Sequence, residues 1–391
     1  MPERIAFLAL EREYREVAAD VDRRFHRVLD TQSFVLGEQT AELERSMREL
    51  TGAPHAVACS SGSDALYLAL RALDIGHGSA VLVPAYTFIA TAEAIVNVGA
   101  VPVFTDVDPQ TLVIGATEIE AALASQFALR DGVYVHEPTG ARLAAAVVVH
   151  LFGRAAAMRA VDDVARRCGF RIIEDAAQAI GAIGDRGAVG AWGTAGCFSF
   201  YPTKNLGGAG DGGIVTTRDA GIAARVARLR VHGAGTGPLH EELGVNARMG
   251  ELQAAYLNAK WPRWRDWTAG RERLVLAYDR GLAALAARGR LSLLAPGRMP
   301  AHVHHQYAVR IPRDRRESVR AALAAREIDS RVFYPVALHR QPCFAEYGCA
   351  TRSFPVAEAA AAEVLCLPVH PFLADADVSS VCAALAAALE P

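Results

Sequence analysis

The chain has 391 residues, 52% of them apolar and 21% charged, with a formal net charge of −2. That length accommodates two domains and a large core, and the near balance of charge leaves no electrostatic footprint for a polyanion, so no nucleic-acid partner is expected. The longest apolar stretch, Leu143 to Val149, is far below the roughly 18–20 residues of a membrane span; with no apolar N-terminal signal region and 7 cysteines that include no C-x-x-C pair, a soluble, cytoplasmic, disulfide-free chain is expected.

Strand candidates rich in Val, Ile and Leu alternate with Ala/Arg/Glu helices, the pattern of an α/β layer structure with a mainly parallel sheet. Val57-Ala-Cys-Ser-Ser-Gly62-Ser63-Asp64 reads as a strand over 56–59, a small-residue turn, then a helix with Leu66, Leu70 and Leu73 on one face. The turn falls at a helix N-terminus, where free N–H groups and the positive end of the helix dipole suit a phosphate, and Gly62 with Ser63 allows close approach. Taken alone, the same residues are an ordinary helix cap. Strands follow at 80–83 and 101–104, with Phe88 in an apolar run that has the composition of ordinary core. The segment from Gln126 to Arg142 is longer and more polar and reads as a surface excursion before a strand at 144–149.

The run over 170–174 ends in Glu174-Asp175-Ala-Ala-Gln178, and Phe198-Ser-Phe-Tyr-Pro-Thr-Lys204-Asn-Leu-Gly207 places a lysine in a Gly-punctuated turn. A lysine condenses with an aldehyde only when unprotonated, which requires burial or a neighbouring cation. An acid at the tip of a buried strand can keep a pyridine nitrogen protonated, so that the ring acts as an electron sink. Each residue alone is unremarkable: a turn lysine is usually solvated, and a strand-closing Asp is usually a turn former or N-cap. Their order, together with the upstream phosphate-type turn, describes an enzyme with a pyridoxal phosphate Schiff base on Lys204 and Asp175 as the acid. Ser199 alternates with Phe198 and Phe200 and also reads as the other face of a strand.

Gly208-Ala-Gly210-Asp-Gly-Gly213 fits G-x-G-x-x-G, yet it precedes the strand-like Ile214 to Thr217 instead of opening a helix, so a dinucleotide site is not expected. From about Asn246 the pattern changes to a long helical segment with Trp261, Trp264 and Trp267, a strand over Tyr307 to Ile311 and Ala-rich helices at 357–363 and 383–389. The domain boundary is placed there, giving domains 1–245 and 246–391. His302, His304 and His305 lack a carboxylate or Cys at ligand spacing, so strand-entry packing is expected and a metal is not. Tyr334 and His339 follow a hydrophobic run and read equally as packed or capping residues and as substrate contacts.

These residues resemble the DegT/DnrJ/EryC1/StrS sugar aminotransferases of the aspartate aminotransferase superfamily. The resemblance covers nearly the whole chain through Phe34-Val-Leu-Gly37, Ser61-Gly62-Ser63, Val83-Pro-Ala-Tyr-Thr-Phe88, Asp106-Val-Asp108 and His150-Leu-Phe-Gly153. It continues through Glu174 to Gln178, the lysine segment, Asn246-Ala-Arg248-Met-Gly-Glu251-Leu-Gln253, Tyr334-Pro335, His339-Arg-Gln341 and Leu367-Pro-Val-His370. One departure is Gly250, where the family more often carries an acidic or polar residue.

The resemblance implies the PLP-dependent transferase fold type I: a three-layer α/β/α large domain with a mainly parallel mixed sheet, plus a smaller α+β C-terminal domain. It assigns Lys204 to the Schiff base and proton shuttle, Asp175 to the pyridine nitrogen and Gln178 to the neighbourhood of the phenolic oxygen. Phe88 would stack on the ring, Gly62, Ser63 and Ser199 would bind the phosphate, and Asn246 would reach the phosphate of the neighbouring subunit in a homodimer with shared active sites. Tyr334 and His339 would contact substrate. The implied reaction moves an amino group from L-glutamate or L-glutamine to a nucleoside-diphosphate-linked keto-sugar, yielding an amino sugar. A cyclitol or related carbocycle aminotransferase is the alternative, and a non-catalytic regulatory or binding protein is a third reading that the intact lysine, aspartate and phosphate motifs disfavour. The family's sugar dehydratases replace the Schiff-base lysine with histidine, so Lys204 argues against deoxygenation.

Overall fold

The structure, a computed structural model, describes residues 4–235, 238–295, 298, 300–347 and 351–390. Its helices are α1 (Leu10–Thr31), α2 (Glu38–Thr51), α3 (Gly62–Ala72), α4 (Ala90–Asn97), α5 (Ala116–Gln126), α6 (Met158–Cys168), α7 (Ala220–Leu229), α8 (Glu251–Lys260), α9 (Trp264–Ala287), α10 (Arg316–Ala324), α11 (Pro355–Glu363) and α12 (Asp375–Leu389). The strands are β1 (His55–Cys59), β2 (Ser79–Pro84), β3 (Val101–Thr105), β4 (Phe127–Arg130), β5 (Val133–His136), β6 (Arg142–Val149), β7 (Arg171–Asp175), β8 (Ile183–Gly184), β9 (Gly187–Ala188), β10 (Ala195–Ser199), β11 (Gly213–Thr217), β12 (Ser292–Leu293), β13 (Tyr307–Arg310) and β14 (Val364–Leu367).

The large sheet runs in the order β1-β11-β10-β7-β6-β2-β3, parallel from β10 through β3 and antiparallel at β11 and β1. The strand candidates at 56–59, 80–83, 101–104, 144–149 and 170–174 fall on β1, β2, β3, β6 and β7 with ends shifted by one or two residues.

Strand alternation sorts side chains onto two faces. Val57, Cys59, Cys197 and Val215 join one core with Leu66 and Leu70 of α3, whereas Ala56, Ala58, Phe198 and Ile214 join another with Leu43 and Met47 of α2 and Leu257 of α8. A sheet buried on both faces between helices is the three-layer architecture expected from the sequence. A further core gathers Leu274, Tyr278 and Leu282 of α9 with Val309, Leu365, Leu367, Val381 and Leu385 around the three-stranded sheet β12-β13-β14. No helix among the described residues is long and apolar enough to cross a membrane.

The segment expected to be a surface excursion is largely exposed and takes the form of an ordered hairpin. β4 and β5 pair antiparallel from Phe127↔His136 to Arg130↔Val133, and β5 reaches β6 through Val135↔Arg142. The loop is Asp131-Gly132, with φ of 50° and 78°. Two successive residues at positive φ make a tight turn whose twist matches that of the flanking strands, and Asp-Gly is the sequence that adopts it most readily.

Candidate active site

The C-terminal ends of the parallel strands converge, as α/β sheets require, on a cavity of about 420 Å³. β7 delivers Asp175, β10 delivers Ser199, and the turn that follows carries Lys204, whose N–H donates to the Tyr201 carbonyl at 2.8 Å. This turn has no room for a side chain at Gly207, where a Cβ would lie 2.1 Å from the Pro202 carbonyl oxygen.

At one side lies the N-terminus of α3. The Ser61 hydroxyl caps it, accepting from the Asp64 N–H at 3.0 Å, while Ser60 and Ser61 donate to the Asp64 carboxylate at 2.5 and 2.8 Å. The N–H groups of Gly62 and Ser63, both lining the cavity, have no protein acceptor among the described residues. A Cβ at position 62 would approach the Ser199 Cβ to 2.6 Å, so only glycine lets α3 and the end of β10 come this close. Exposed N–H donors at a helix start, with a hydroxyl opposite, form a cradle for a phosphate group.

Asp175 is buried, with Oδ2 accepting from the Thr91 hydroxyl at 2.8 Å and Oδ1 from the Ala177 N–H at 3.1 Å. Burial raises its pKa, opposed by the bonds from Thr91 and Ala177 and by the charge of Lys204. Burial also lowers the Lys204 pKa to about 8, with Asp175 opposing. The Lys204 amine makes no hydrogen bond or ion pair among the described residues, and so stays available. Phe88 lies on the cavity wall, half of its surface open, with its ring 5.8 Å from that of Tyr334. Gln178 accepts from the Phe152 N–H at 2.6 Å and donates to the Tyr334 hydroxyl at 3.1 Å. Tyr86 in turn accepts from the Tyr334 N–H at 3.0 Å and donates to the Phe333 carbonyl at 2.6 Å.

Glu174, the neighbour of Asp175 on β7, is wholly buried and engaged elsewhere. It accepts from the N–H groups of Gly190, Trp192 and Gly193 at 2.8, 2.8 and 2.6 Å and from His150 Nε2 at 3.1 Å. His150 Nδ1 accepts from the Ala156 N–H, which leaves the imidazole proton on Nε2. These donors hold the Glu174 carboxyl below its ordinary pKa despite burial.

The structure therefore brings Gly62, Ser63, Phe88, Asp175, Gln178, Ser199, Lys204 and Tyr334 to one cavity. It does not bring in two others. Asn246 is exposed, its side chain accepting from Arg248 Nε at 3.0 Å, away from the cavity of its own chain. His339 is buried against Phe104 and Phe354 with Nε2 2.9 Å from the Glu358 carboxylate, and does not line the cavity.

Sequence reasoning missed Thr87, Thr91 and His305, which do line it. Thr91 is the second residue of α4, and nothing in its local sequence marks it as a partner of Asp175. His305 is held by Asn205, whose amide also donates to the Val303 carbonyl at 2.8 Å, and burial pushes its pKa well down. His304 does meet a carboxylate, Glu272 of α9, which was too distant in sequence to register as a neighbour. Gly250 caps α8, and a side chain there would enter open space. The G-x-G-x-x-G run enters β11 without a helix behind it.

Comparison with known proteins places this geometry in a family. The DegT/DnrJ/EryC1/StrS aminotransferase family matches residues 16–386. The UDP-N-acetyl-3-dehydro-alpha-D-glucosamine 3-aminotransferase of Acidithiobacillus ferrooxidans is 41% identical over 358 residues, covering 91% of this chain and 90% of that protein. A protein of Geobacillus stearothermophilus named a pleiotropic regulatory protein is 38% identical over 371 residues, covering 94% of each. The crystal structure of S. venezuelae DesV in complex with a ketimine intermediate superposes with a TM-score of 0.90 at 36% identity, covering 99% of both chains. With its fold, its cavity and a match along nearly its whole length, the chain belongs to the DegT/DnrJ/EryC1/StrS aminotransferase family.

Proposed function

We propose that this chain is a pyridoxal 5'-phosphate-dependent transaminase that moves an amino group from L-glutamate or L-glutamine to a nucleoside-diphosphate-linked keto-sugar, releasing an amino sugar. The observation that carries it is the joint presence, in one cavity, of an unpaired lysine amine, a buried carboxylate and an open helix N-terminus. The donor set fits the cofactor: Gly62 and Ser63 N–H groups with Ser199 for the phosphate, Asp175 for the ring nitrogen, Phe88 for the ring face and Gln178 for the phenolic side, with Tyr334, bonded to Gln178, left for the substrate. When bound, the cofactor supplies the aldehyde that captures an amine and the electron sink that makes the amino-acid α-proton removable.

This chain's residues do the rest. Lys204, with its pKa at about 8, holds a neutral fraction near neutral pH and would be the amine that holds the cofactor and the group that moves the proton. Asp175, with Thr91 and Ala177 donating to its carboxylate, would pair with the ring nitrogen and keep it protonated. Asn246, on the outer surface, reaches the phosphate of a second copy's site, which makes the working unit a homodimer. The large domain, 1–245, carries the cofactor groups and the domain 246–391 contributes Tyr334. Cys59, Cys168, Cys197, Cys343, Cys366 and Cys382 are free thiols, which suits the cytoplasm.

Nucleotide-sugar specificity draws support from relatives named as acting on such substrates. A regulatory reading has a relative's name behind it, but the catalytic constellation is intact. The test is an absorbance spectrum of the purified chain with pyridoxal phosphate before and after L-glutamate or L-glutamine, alongside Lys204→Ala. A donor-dependent band shift that needs Lys204 is the expected result. Failure of the wild type to bind the cofactor sinks the proposal, and binding without a shift favours the regulatory reading. Turnover of nucleotide-linked keto-sugars against scyllo-inosose then decides between sugar and cyclitol.

A further inference from the structure

The cavity contains a hydroxyl relay that ends on the acid. Thr87 and Thr91 are both buried, their Oγ1 atoms 3.3 Å apart, and Thr91 Oγ1 lies 2.8 Å from Asp175 Oδ2. A threonine hydroxyl has one hydrogen. An anionic carboxylate can only accept, so Thr91 gives its hydrogen to Asp175, and the hydrogen between the threonines must come from Thr87. The chain of donors therefore runs one way, from Thr87 to Thr91 to Asp175. Thr91 is the second residue of α4, so the start of that helix carries the donor.

We propose that Thr91, oriented by Thr87, is a positioning residue that holds Asp175 as an anion aimed at the ring nitrogen of the cofactor. The inference rests on the cofactor reading above. Asp175 has two oxygens, and Ala177 N–H fixes the other one. With both ends tied, the carboxylate cannot rotate, and each donor favours the charged form over the protonated one. Burial pushes in the opposite direction, and the Thr91 bond is the largest effect resisting it, ahead of Ala177, Lys204 and His150. Without it, the acid moves toward the neutral state, in which it has no charge to offer the ring nitrogen.

The test compares two cofactors on three proteins. Equilibrium binding of pyridoxal phosphate, and of its analogue with C–H in place of the ring nitrogen, is measured by absorbance for wild type, Thr91→Val and Thr91→Ser. Wild type is expected to prefer pyridoxal phosphate over the carbon analogue. Thr91→Val, which keeps shape and removes the donor, is expected to lose about tenfold in affinity for pyridoxal phosphate and little for the analogue, so that the preference collapses. Thr91→Ser should restore it. Equal loss for both cofactors would mean a packing role and would overturn the inference, as would an unchanged preference. If Thr91→Val does not fold, Thr87→Val serves: a smaller fall in the preference supports the relay, and none overturns it. Wild type that binds neither cofactor removes the cofactor reading itself, and this inference with it.

Discussion

Lys204, half-buried on the cavity wall, and Lys260, fully buried nearby, are two lysines that behave oppositely. Lys260 is 2% exposed, donates to the Glu13 carboxylate at 2.6 Å and to the Gly207 carbonyl at 3.0 Å, and lies 5.7 and 5.3 Å from the ring centres of Tyr256 and Trp267. Burial lowers its pKa, but Glu13 opposes this at contact distance. Lys204 faces a cavity with no bonded acceptor, and Asp175 opposes its burial only through space. Burial alone thus does not make a reactive amine; what matters is whether a partner occupies the ammonium. Lys260 is spent on structure, tying α1 and α8 to the loop that follows Lys204.

Four experiments put this contrast to the test. Lys204→Ala is expected to reduce transamination by about 10⁴-fold or more while leaving the melting curve near that of wild type; steady-state rates beside calorimetry check both. Lys260→Met should do the reverse, leaving Glu13 buried without its cation at a cost of roughly 3–5 kcal/mol. Denaturant titration measures it, and a Lys260→Met/Glu13→Leu double variant should recover much of the loss. If the single variant is as stable as wild type, the structural role given to Lys260 is wrong.

The third experiment uses pH. A lysine whose pKa falls from its ordinary value to about 8 is neutral above that pH, so cofactor capture should rise about tenfold per pH unit below pH 8 and level off above it. Stopped-flow absorbance reads this, and a rise continuing to pH 10 would place the amine in ordinary solvent. The smallest effect is at the phosphate cradle. Gly62→Ala pushes a methyl against Ser199, and about a tenfold loss of affinity for pyridoxal phosphate is expected, with little change for pyridoxal lacking the phosphate. Fluorescence titration with both ligands decides it.

The sheet was readable because its strands are apolar runs closed by small or acidic residues, and Lys204, Asp175 and Gly62 because each sits at a strand end or helix start, where sequence and backbone are tightly linked. Thr91 was hidden by its composition: a threonine among alanines at a helix start looks like filler until a carboxylate from β7 is placed against it. The pairing of His304 with Glu272, and that of His339 with Glu358, likewise join separate elements and depend on tertiary packing. The β4–β5 hairpin was missed for another reason. Its Asp131-Gly132 turn and flanking alternation were visible, but the polar content of the segment outweighed them.

Glu174 and Asp175 stand next to each other on β7 and face opposite ways, so a one-residue slip of the strand would exchange two carboxylates with incompatible duties. Asp175 would turn toward the loop of Gly190 to Gly193, and Glu174, one methylene longer, would enter the cavity. The four donors gathered around Glu174 act as a lock against that error. By recognising one acid on the side away from the cavity, the fold fixes which acid faces it.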